Sequence, residues 1–130
     1  MENVFNLQGR PISENHEPYV VAEISGNQGG KLERALNMIE LAAEAGADAV
    51  KLQTFTPDTM TLDSDRDEVL LKEGLWKGRT LYDLYEKAQT PWDWHKELFA
   101  KASNLGLHIF SSPFDESAVC LLYTSDAADE

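Results

Sequence analysis

Two polar side chains interrupt an apolar segment near the middle of the chain, and their types point to chemistry. Lys51 and Gln53 alternate with Val50 and Leu52, which have the character of a buried strand. Burying a lysine is unfavourable unless a negative group meets its ammonium. Near the carboxyl end of a parallel strand, a substrate phosphate or carboxylate is favoured over a structural carboxylate as that group. We therefore expect Lys51 to bind a substrate anion, the alternative being a surface lysine whose stem leads its charge to water.

Polar residues also lie at the ends of two other apolar segments. Glu23 ends one segment and is followed by Asn27 in a glycine-rich loop, whereas Ser112 and Phe114 end another. In a parallel barrel these strand ends converge, which brings together a carboxylate, a cation, amide and hydroxyl donors and an aromatic wall. That set suits a phosphorylated acid beside a polyhydroxylated substrate. Taken singly, Glu23 could be a solvated strand end, Ser112 a helix cap and Phe114 a core residue.

The elements that position these residues follow from the spacing of apolar side chains. Residues 19–25, 49–55 and 107–112 have the composition of strands, and helices are predicted between them. The second helix begins at residues 90–93. This alternation predicts βα units and a parallel sheet. The first helix carries its predicted apolar face on Leu32, Leu36, Ile39 and Ala43.

Two further segments lie outside this alternation. Residues 4–12 are broken by a Gly-Arg-Pro turn and predict a short β-hairpin before the first parallel strand. Residues 56–89 form a long excursion, of the kind that is usually functional or mobile. Leu81, Leu84 and Tyr85 fall on one helical face within it, so we expect a short helix there.

Composition excludes several classes of function. Eleven Lys and Arg against 23 Asp and Glu give a net charge of −12, which repels nucleic acids and anionic membranes. The sequence has no apolar run of the roughly 20 residues that span a bilayer and no secretory signal, so we expect a cytoplasmic protein. Cys120 is the only cysteine, and His16, His95 and His108 lack ligand spacing, so no metal ligand is assigned.

The last eleven residues differ in character from the rest. Residues 120–130 do not continue the helical pattern that residues 115–119 begin, and they resemble the in-frame translation of a transposase sequencing adaptor. We therefore expect the natural protein to continue past Val119 with other residues. The alternative is a genuine acidic tail.

Several motifs together resemble the sialic acid synthase family, the phosphoenolpyruvate-dependent synthases of nine-carbon 2-keto acids. The resemblance covers about residues 4–119. Segments 75–85 and 90–95 are more specifically similar to its pseudaminic acid synthase branch. The family motifs are Ala22-Glu23-Ile24-Ser25-Gly26-Asn27, Gly46-Ala47-Asp48-Ala49-Val50-Lys51-Leu52-Gln53-Thr54 and Phe110-Ser111-Ser112-Pro113-Phe114.

This resemblance implies a TIM (β/α)8 barrel followed by an antifreeze-like domain. A whole barrel has about 250 residues, so residues 1–119 are expected to be an N-terminal fragment with about three βα units, without the C-terminal domain. It implies an aldol-like condensation, in which C3 of phosphoenolpyruvate attacks the aldehyde of an acylated amino sugar, water adds at C2 and phosphate leaves. A divalent metal, Mn²⁺ or Mg²⁺, would polarise the aldehyde from ligands beyond Val119. The full-length protein is expected to be a homodimer.

The resemblance also implies roles for individual residues. Lys51 and Ser112 match positions that contact phosphoenolpyruvate, Glu23 and Gln53 match positions on the sugar side, and Phe114 matches a wall of the acyl pocket. We assign catalysis to Glu23 and Lys51. We assign substrate binding to Asn27, Lys51, Gln53, Ser112 and Phe114.

Two departures and several alternatives remain open. Gln28 and Gln89 stand where many relatives carry histidine. The sugar could instead be that of an N-acetylneuraminate or legionaminic acid synthase. Lys51 could serve a Schiff-base aldolase, for which it would have to act as a neutral amine. A non-catalytic carbohydrate-binding module is the third alternative. By itself the 130-residue chain is expected to lack synthase activity.

Overall fold

A computed structural model describes residues 3–126 of the chain. Its elements alternate between strands and helices as predicted. In chain order they are β1 (Phe5–Leu7), β2 (Arg10–Ile12), β3 (Val21–Glu23), α1 (Leu32–Glu44), β4 (Ala49–Thr54), α2 (Pro57–Met60), α3 (Leu81–Ala88), a 3-10 turn (Trp92–Trp94), α4 (His95–Asn104), β5 (His108–Pro113) and α5 (Glu116–Asp126).

Three of the strands form a parallel sheet in the order β3-β4-β5. The register places Glu23 opposite Lys51 and Gln53 opposite Ser112. Helix α1 connects β3 to β4, and α4 lies between β4 and β5 in sequence. The predicted βα units, parallel sheet and N-terminal hairpin are all present. The carboxyl ends of the three strands therefore lie along one edge, as the sequence required.

The core lies between the sheet and helices α1 and α4. Ile39, Leu52 and Leu98 are completely or almost completely buried there. The buried line of α1 is Ala35, Ile39 and Ala42, one position away from the predicted face. Small alanine side chains allow the helix to approach closely, while Leu32, Leu36 and Ala43 pack around the border of the core. Helix α1 ends where Gly46 adopts φ +84°, a left-handed conformation that favours glycine.

Asp48 fastens the N-terminal hairpin to the sheet. Its carboxylate forms an ion pair with Arg10 of β2, and its Oδ2 accepts the backbone N–H of Val20 at 2.7 Å. The Arg10 guanidinium also donates to the carbonyl of Pro18 at 3.0 Å. One side chain at the amino end of β4 thus holds both the hairpin and the approach to β3.

The excursion and the last helix complete the chain. The predicted helix at residues 81–88 is present as α3, and the Thr80 hydroxyl accepts the N–H of Asp83 at 3.1 Å as its cap. The expectation that the helical pattern stops after Val119 is wrong, because α5 continues to Asp126. No glycine or proline interrupts that stretch, and Leu122 packs against the core. Its foreign origin stays a prediction, and residues 127–130 lie outside the described part.

Candidate active site

Four side chains in or just after strands β3 and β4 form one hydrogen-bond network. The Lys51 ammonium donates to Oε1 of Glu23 at 2.9 Å, and the Gln53 amide donates to the same oxygen at 3.3 Å. The Ser25 hydroxyl donates to Oε1 of Gln53 at 3.4 Å. A carboxylate, a cation and an amide are therefore held together by direct hydrogen bonds.

The network arises from strand periodicity. Successive side chains of a strand point to opposite faces, so Lys51 and Gln53 share one face of β4. Val50, Leu52 and Thr54 occupy the other face and are buried against the helices. Because Glu23 lies opposite Lys51 in the register, its carboxylate reaches the ammonium directly. Among the described residues the partner of Lys51 is a protein carboxylate, and the expectation that Lys51 binds a substrate anion stays a prediction.

Solvent limits the strength of this ion pair. The Lys51 side chain is 27% exposed and that of Glu23 is 43% exposed. Pairs of this kind contribute roughly 0 to 1 kcal/mol to stability, since water screens the charges. A pair held this weakly can rearrange when a stronger anion or a hydrogen-bonding ligand approaches.

A cavity of about 540 Å³ opens beside the network. Gln53, Asn27 and Phe114, all predicted site residues, line it. The Phe114 ring meets Phe55 edge to face, with centroids 5.6 Å apart, and the Asn27 amide donates to the carbonyl of Ile24 at 3.0 Å. The structure therefore brings the predicted residues into two overlapping groups, with Gln53 common to both. Ser112 joins them through its register with Gln53.

Other residues of this cavity were missed by the sequence reasoning. Phe55 directly follows β4, and Met60, Trp76 and Tyr85 come from the excursion. The signal for Tyr85 was present, because the predicted helix places it on an apolar face. No local pattern shows that this face turns toward the strand ends. Polar side chains and apolar or aromatic side chains thus line the same cavity, which suits a ligand with both characters.

Gln28, one of the two departures from the family pattern, clamps the first loop to the excursion. Its side chain is buried, and its amide donates to the carbonyls of Ala88 and Gln89 at 3.0 and 2.9 Å. Next to it, a Cβ on Gly26 would lie 2.8 Å from the Cβ of Ala88. The loop that carries Asn27 is thus packed tightly onto the end of α3.

A buried histidine lies behind the site. His95 has no exposed surface, its Nε2 is 2.7 Å from the Thr54 hydroxyl, and that hydroxyl is 2.6 Å from Ser111 Oγ. Burial lowers the pKa of His95, and the carbonyls of Trp92 and Pro91 oppose this effect. Local sequence patterns contain no signal for these hydrogen bonds, because the three residues come from three different elements.

The described residues do not bring together a metal site. Within residues 3–126, no group of three or more His, Cys, Asp or Glu side chains is arranged to hold an ion. The divalent metal that the family resemblance implies, with ligands beyond Val119, stays a prediction. Among the same residues, no helix is long and apolar enough to cross a membrane.

Comparison with known proteins places this geometry in a family. The model of the NeuB family matches residues 38–128. The chain belongs to the NeuB family. The matched range includes β4 and β5, which carry Lys51, Gln53 and Ser112.

Two relatives and one solved structure give the range of similarity. The pseudaminic acid synthase of Campylobacter jejuni subsp. jejuni serotype O:2 is 49% identical over 108 residues, which cover 83% of this chain and 32% of that protein. The N,N'-diacetyllegionaminic acid synthase of Legionella pneumophila is 29% identical over 113 residues, covering 87% of this chain and 32% of that protein. The chain thus spans about a third of the length of the curated relatives it matches.

The structural neighbour confirms the fold. The N-acetylneuraminic acid synthetase of Leptospira borgpetersenii serovar Hardjo-bovis, solved with citrate, superimposes with a TM-score of 0.74 at 24% identity. The match covers 96% of this chain and 39% of that one. The expected architecture, consecutive βα units of a TIM barrel with an N-terminal hairpin, is confirmed.

Proposed function

We propose that the full-length protein containing this chain is a pseudaminic acid synthase. It would condense phosphoenolpyruvate with an acylated amino sugar to give a nine-carbon 2-keto acid and phosphate. The observation that carries the proposal is the network of Glu23, Lys51 and Gln53 at the carboxyl ends of parallel strands, beside a cavity of mixed polarity. The 49% identity to the Campylobacter enzyme supports the choice of branch.

In this proposal Lys51 and Ser112 hold the anionic substrate. Lys51 supplies a positive charge from β4. Ser112 supplies a hydroxyl from the neighbouring strand β5, where it lies opposite Gln53 in the register. Phosphoenolpyruvate carries both a phosphate and a carboxylate, so it competes with Glu23 for the ammonium.

Glu23, Gln53 and Asn27 would bind the sugar. When the anion takes over the ammonium, the Glu23 carboxylate becomes free to accept hydrogen bonds from hydroxyl or acylamino groups. Gln53 and Asn27 offer both donors and acceptors to the cavity, and Phe114 offers an apolar wall. The sugar's polar end and its acyl group then face matching surfaces.

The reaction requires these two substrates to be held with their carbons in contact. C3 of phosphoenolpyruvate forms the new bond to the aldehyde carbon, water adds at C2, and the C2–O bond to phosphate breaks. The residues described here bind and orient the two substrates. Holding two reactants in the correct geometry lowers the activation barrier by several kcal/mol. The divalent metal, the homodimer and the cytoplasmic location remain predictions for the full-length protein.

Two alternatives differ in what they require of the same residues. A Schiff-base aldolase needs the Lys51 nitrogen to attack a carbonyl carbon, whereas that nitrogen is paired with Glu23 Oε1 at 2.9 Å. A legionaminic or neuraminic acid synthase would use the same network with a different sugar, and the 29% identity to the Legionella enzyme gives it less support.

Phosphate release by the full-length protein tests the proposal. The protein would be incubated with phosphoenolpyruvate, Mn²⁺ and either the pseudaminic or the legionaminic sugar precursor, and phosphate and keto acid would be measured. We expect release with the first sugar and the same amount of nine-carbon product. Release with only the second sugar would reassign the branch. Borohydride trapping of a substrate adduct on Lys51 would instead support the aldolase.

A further inference from the structure

A chain of hydroxyl groups connects the buried His95 to the two strand ends that carry the substrate-binding residues. His95 begins α4, Thr54 is the last residue of β4, and Ser111 lies in β5. The distances are 2.7 Å from His95 Nε2 to Thr54 Oγ1 and 2.6 Å from Thr54 Oγ1 to Ser111 Oγ. Three elements are therefore joined at one point behind the candidate site.

The direction of this chain is fixed at its buried end. His95 Nδ1 lies 3.2 Å from the carbonyl oxygens of Pro91 and Trp92, which can only accept, so Nδ1 carries the proton. In the neutral imidazole Nε2 is then the acceptor. The Thr54 hydroxyl donates to it, which leaves the Thr54 oxygen to accept from the Ser111 hydroxyl. Each polar group has one role, and the arrangement has no alternative orientation while His95 is neutral.

The residues adjacent to this chain in sequence are the ones assigned to substrate. Thr54 follows Gln53, Ser111 precedes Ser112, and Gln53 and Ser112 are opposite each other in the register. Because neighbouring strand residues face opposite ways, the hydroxyl chain lies on the helix side while Gln53 and Ser112 face the other side. The hydrogen bond between the Thr54 and Ser111 hydroxyls therefore helps to fix the position of Gln53 relative to Ser112 along the two strands.

We propose that His95 and Thr54 are positioning residues for phosphoenolpyruvate binding, because they fix the spacing of the strand ends that carry Gln53 and Ser112. This inference rests on the proposed function, which assigns those two residues to substrate. Neither His95 nor Thr54 touches substrate. Their effect should appear in the affinity for the anion and depend on the hydroxyl of Thr54 and on the Nε2 position of His95.

Two substitutions at Thr54 separate the hydroxyl from the methyl group. In the full-length protein, Thr54→Val removes the hydroxyl and leaves Ser111 and His95 without their partner, whereas Thr54→Ser keeps the hydroxyl and removes the methyl. An unsatisfied buried polar group is costly enough to shift a binding constant by about tenfold. We expect Thr54→Val to raise the KM for phosphoenolpyruvate about tenfold with a smaller change in kcat, and Thr54→Ser to stay within about twofold of wild type.

A second pair of variants tests His95 itself. The amide of Gln reaches the position of Nε2, and the amide of Asn reaches the position of Nδ1. His95→Gln should therefore retain the low KM better than His95→Asn. All variants are compared at a temperature at which circular dichroism shows each to be fully folded, so that a loss of folded protein cannot imitate the effect.

The outcomes are distinguishable. Equal KM values for Thr54→Val and Thr54→Ser, or for the two His95 variants, in an otherwise active enzyme would overturn the positioning role and leave the proposed function standing. Wild-type protein that releases no phosphate with any of the sugars would overturn the proposed function, and the positioning role with it. A rise in KM that follows the hydroxyl and the Nε2 position supports the inference.

Discussion

Removing the charge of Lys51 separates its part in substrate binding from its part in the fold. Three variants of the full-length protein are needed, Lys51→Ala, Glu23→Gln and the double variant. They form a cycle in which both stability and kinetics can be measured. The two readouts are expected to differ by a large factor.

Breaking the ion pair between Lys51 and Glu23 should change the free energy of unfolding only slightly. The side chains of Lys51 and Glu23 are 27% and 43% exposed, so their coupling should be about 1 kcal/mol or less. Folded proteins are stable by about 5 to 15 kcal/mol, and such a loss leaves nearly all molecules folded. A desolvated contact between a cation and a phosphate is stronger, and losing one charge-stabilising contact typically lowers activity about 10²- to 10³-fold. Binding should therefore dominate the result.

Phosphate release measured against each substrate gives the kinetic half of the cycle. Lys51→Ala should impair the use of phosphoenolpyruvate more than the use of the sugar. Glu23→Gln should impair the use of the sugar more than the use of phosphoenolpyruvate. Lys101→Ala is a matched control, since Lys101 pairs with Glu40 between α4 and α1 at closely similar exposures of 30% and 45%. It should lose a similar small amount of stability and no activity.

Two results would refute this reasoning. Wild-type kinetics in Lys51→Ala would remove it from the site. The second result is a Glu23→Gln variant that uses both substrates equally poorly and loses much more stability than the Lys101→Ala control. This would show that Glu23 holds the sheet together and does not bind sugar.

The remaining predictions concern the packing behind the site. Gly26→Ala should destabilise the protein by about 1 to 3 kcal/mol in urea unfolding, because its Cβ would lie 2.8 Å from that of Ala88, and adding Ala88→Gly should recover part of the loss. An unchanged urea midpoint in Gly26→Ala would contradict the tight contact. The pKa of His95 is lowered by burial, so the unfolded chain binds its proton more readily, and stability should be full above about pH 6.5 and fall as the pH decreases below it. Urea midpoints measured between about pH 7.5 and pH 5.5 should fall with decreasing pH in wild type and fall less in His95→Gln. An equal fall in both proteins would contradict the assignment of this pH dependence to His95.

The sequence was sufficient for the order of the elements because each carries a local signal. The apolar period places α1 to within a residue of its real face, and Gly46 marks its end. Strand β4 is identified by the alternation that also exposes Lys51. Local signals failed at α5, where a weak apolar pattern was taken for the end of a helix although no residue there breaks one.

What the sequence could not supply is which residues meet across elements. Glu23 and Lys51 are 28 positions apart, and only the register of β3 with β4 makes them partners. The chain from His95 through Thr54 to Ser111 is of the same kind, because it joins residues 41 and 57 positions apart. A buried threonine and a histidine at a helix start read as ordinary core until the elements are packed. The positions of the candidate site residues at the strand ends were therefore predictable, but their hydrogen-bond partners were not.

Asp48 and the network around Lys51 occupy opposite ends of the same strand. The hairpin and the start of β3 are fastened at the amino end, where no proposed substrate contact lies. Mutations that reshape the loops at the carboxyl end leave that fastening untouched, so the two ends can evolve separately. If the proposed function is correct, changes in the excursion and the first loop alter the sugar-binding cavity while the ion pair of Arg10 and Asp48 keeps the hairpin attached. One strand therefore holds the fold together at its amino end and carries the candidate substrate-binding residues toward its carboxyl end.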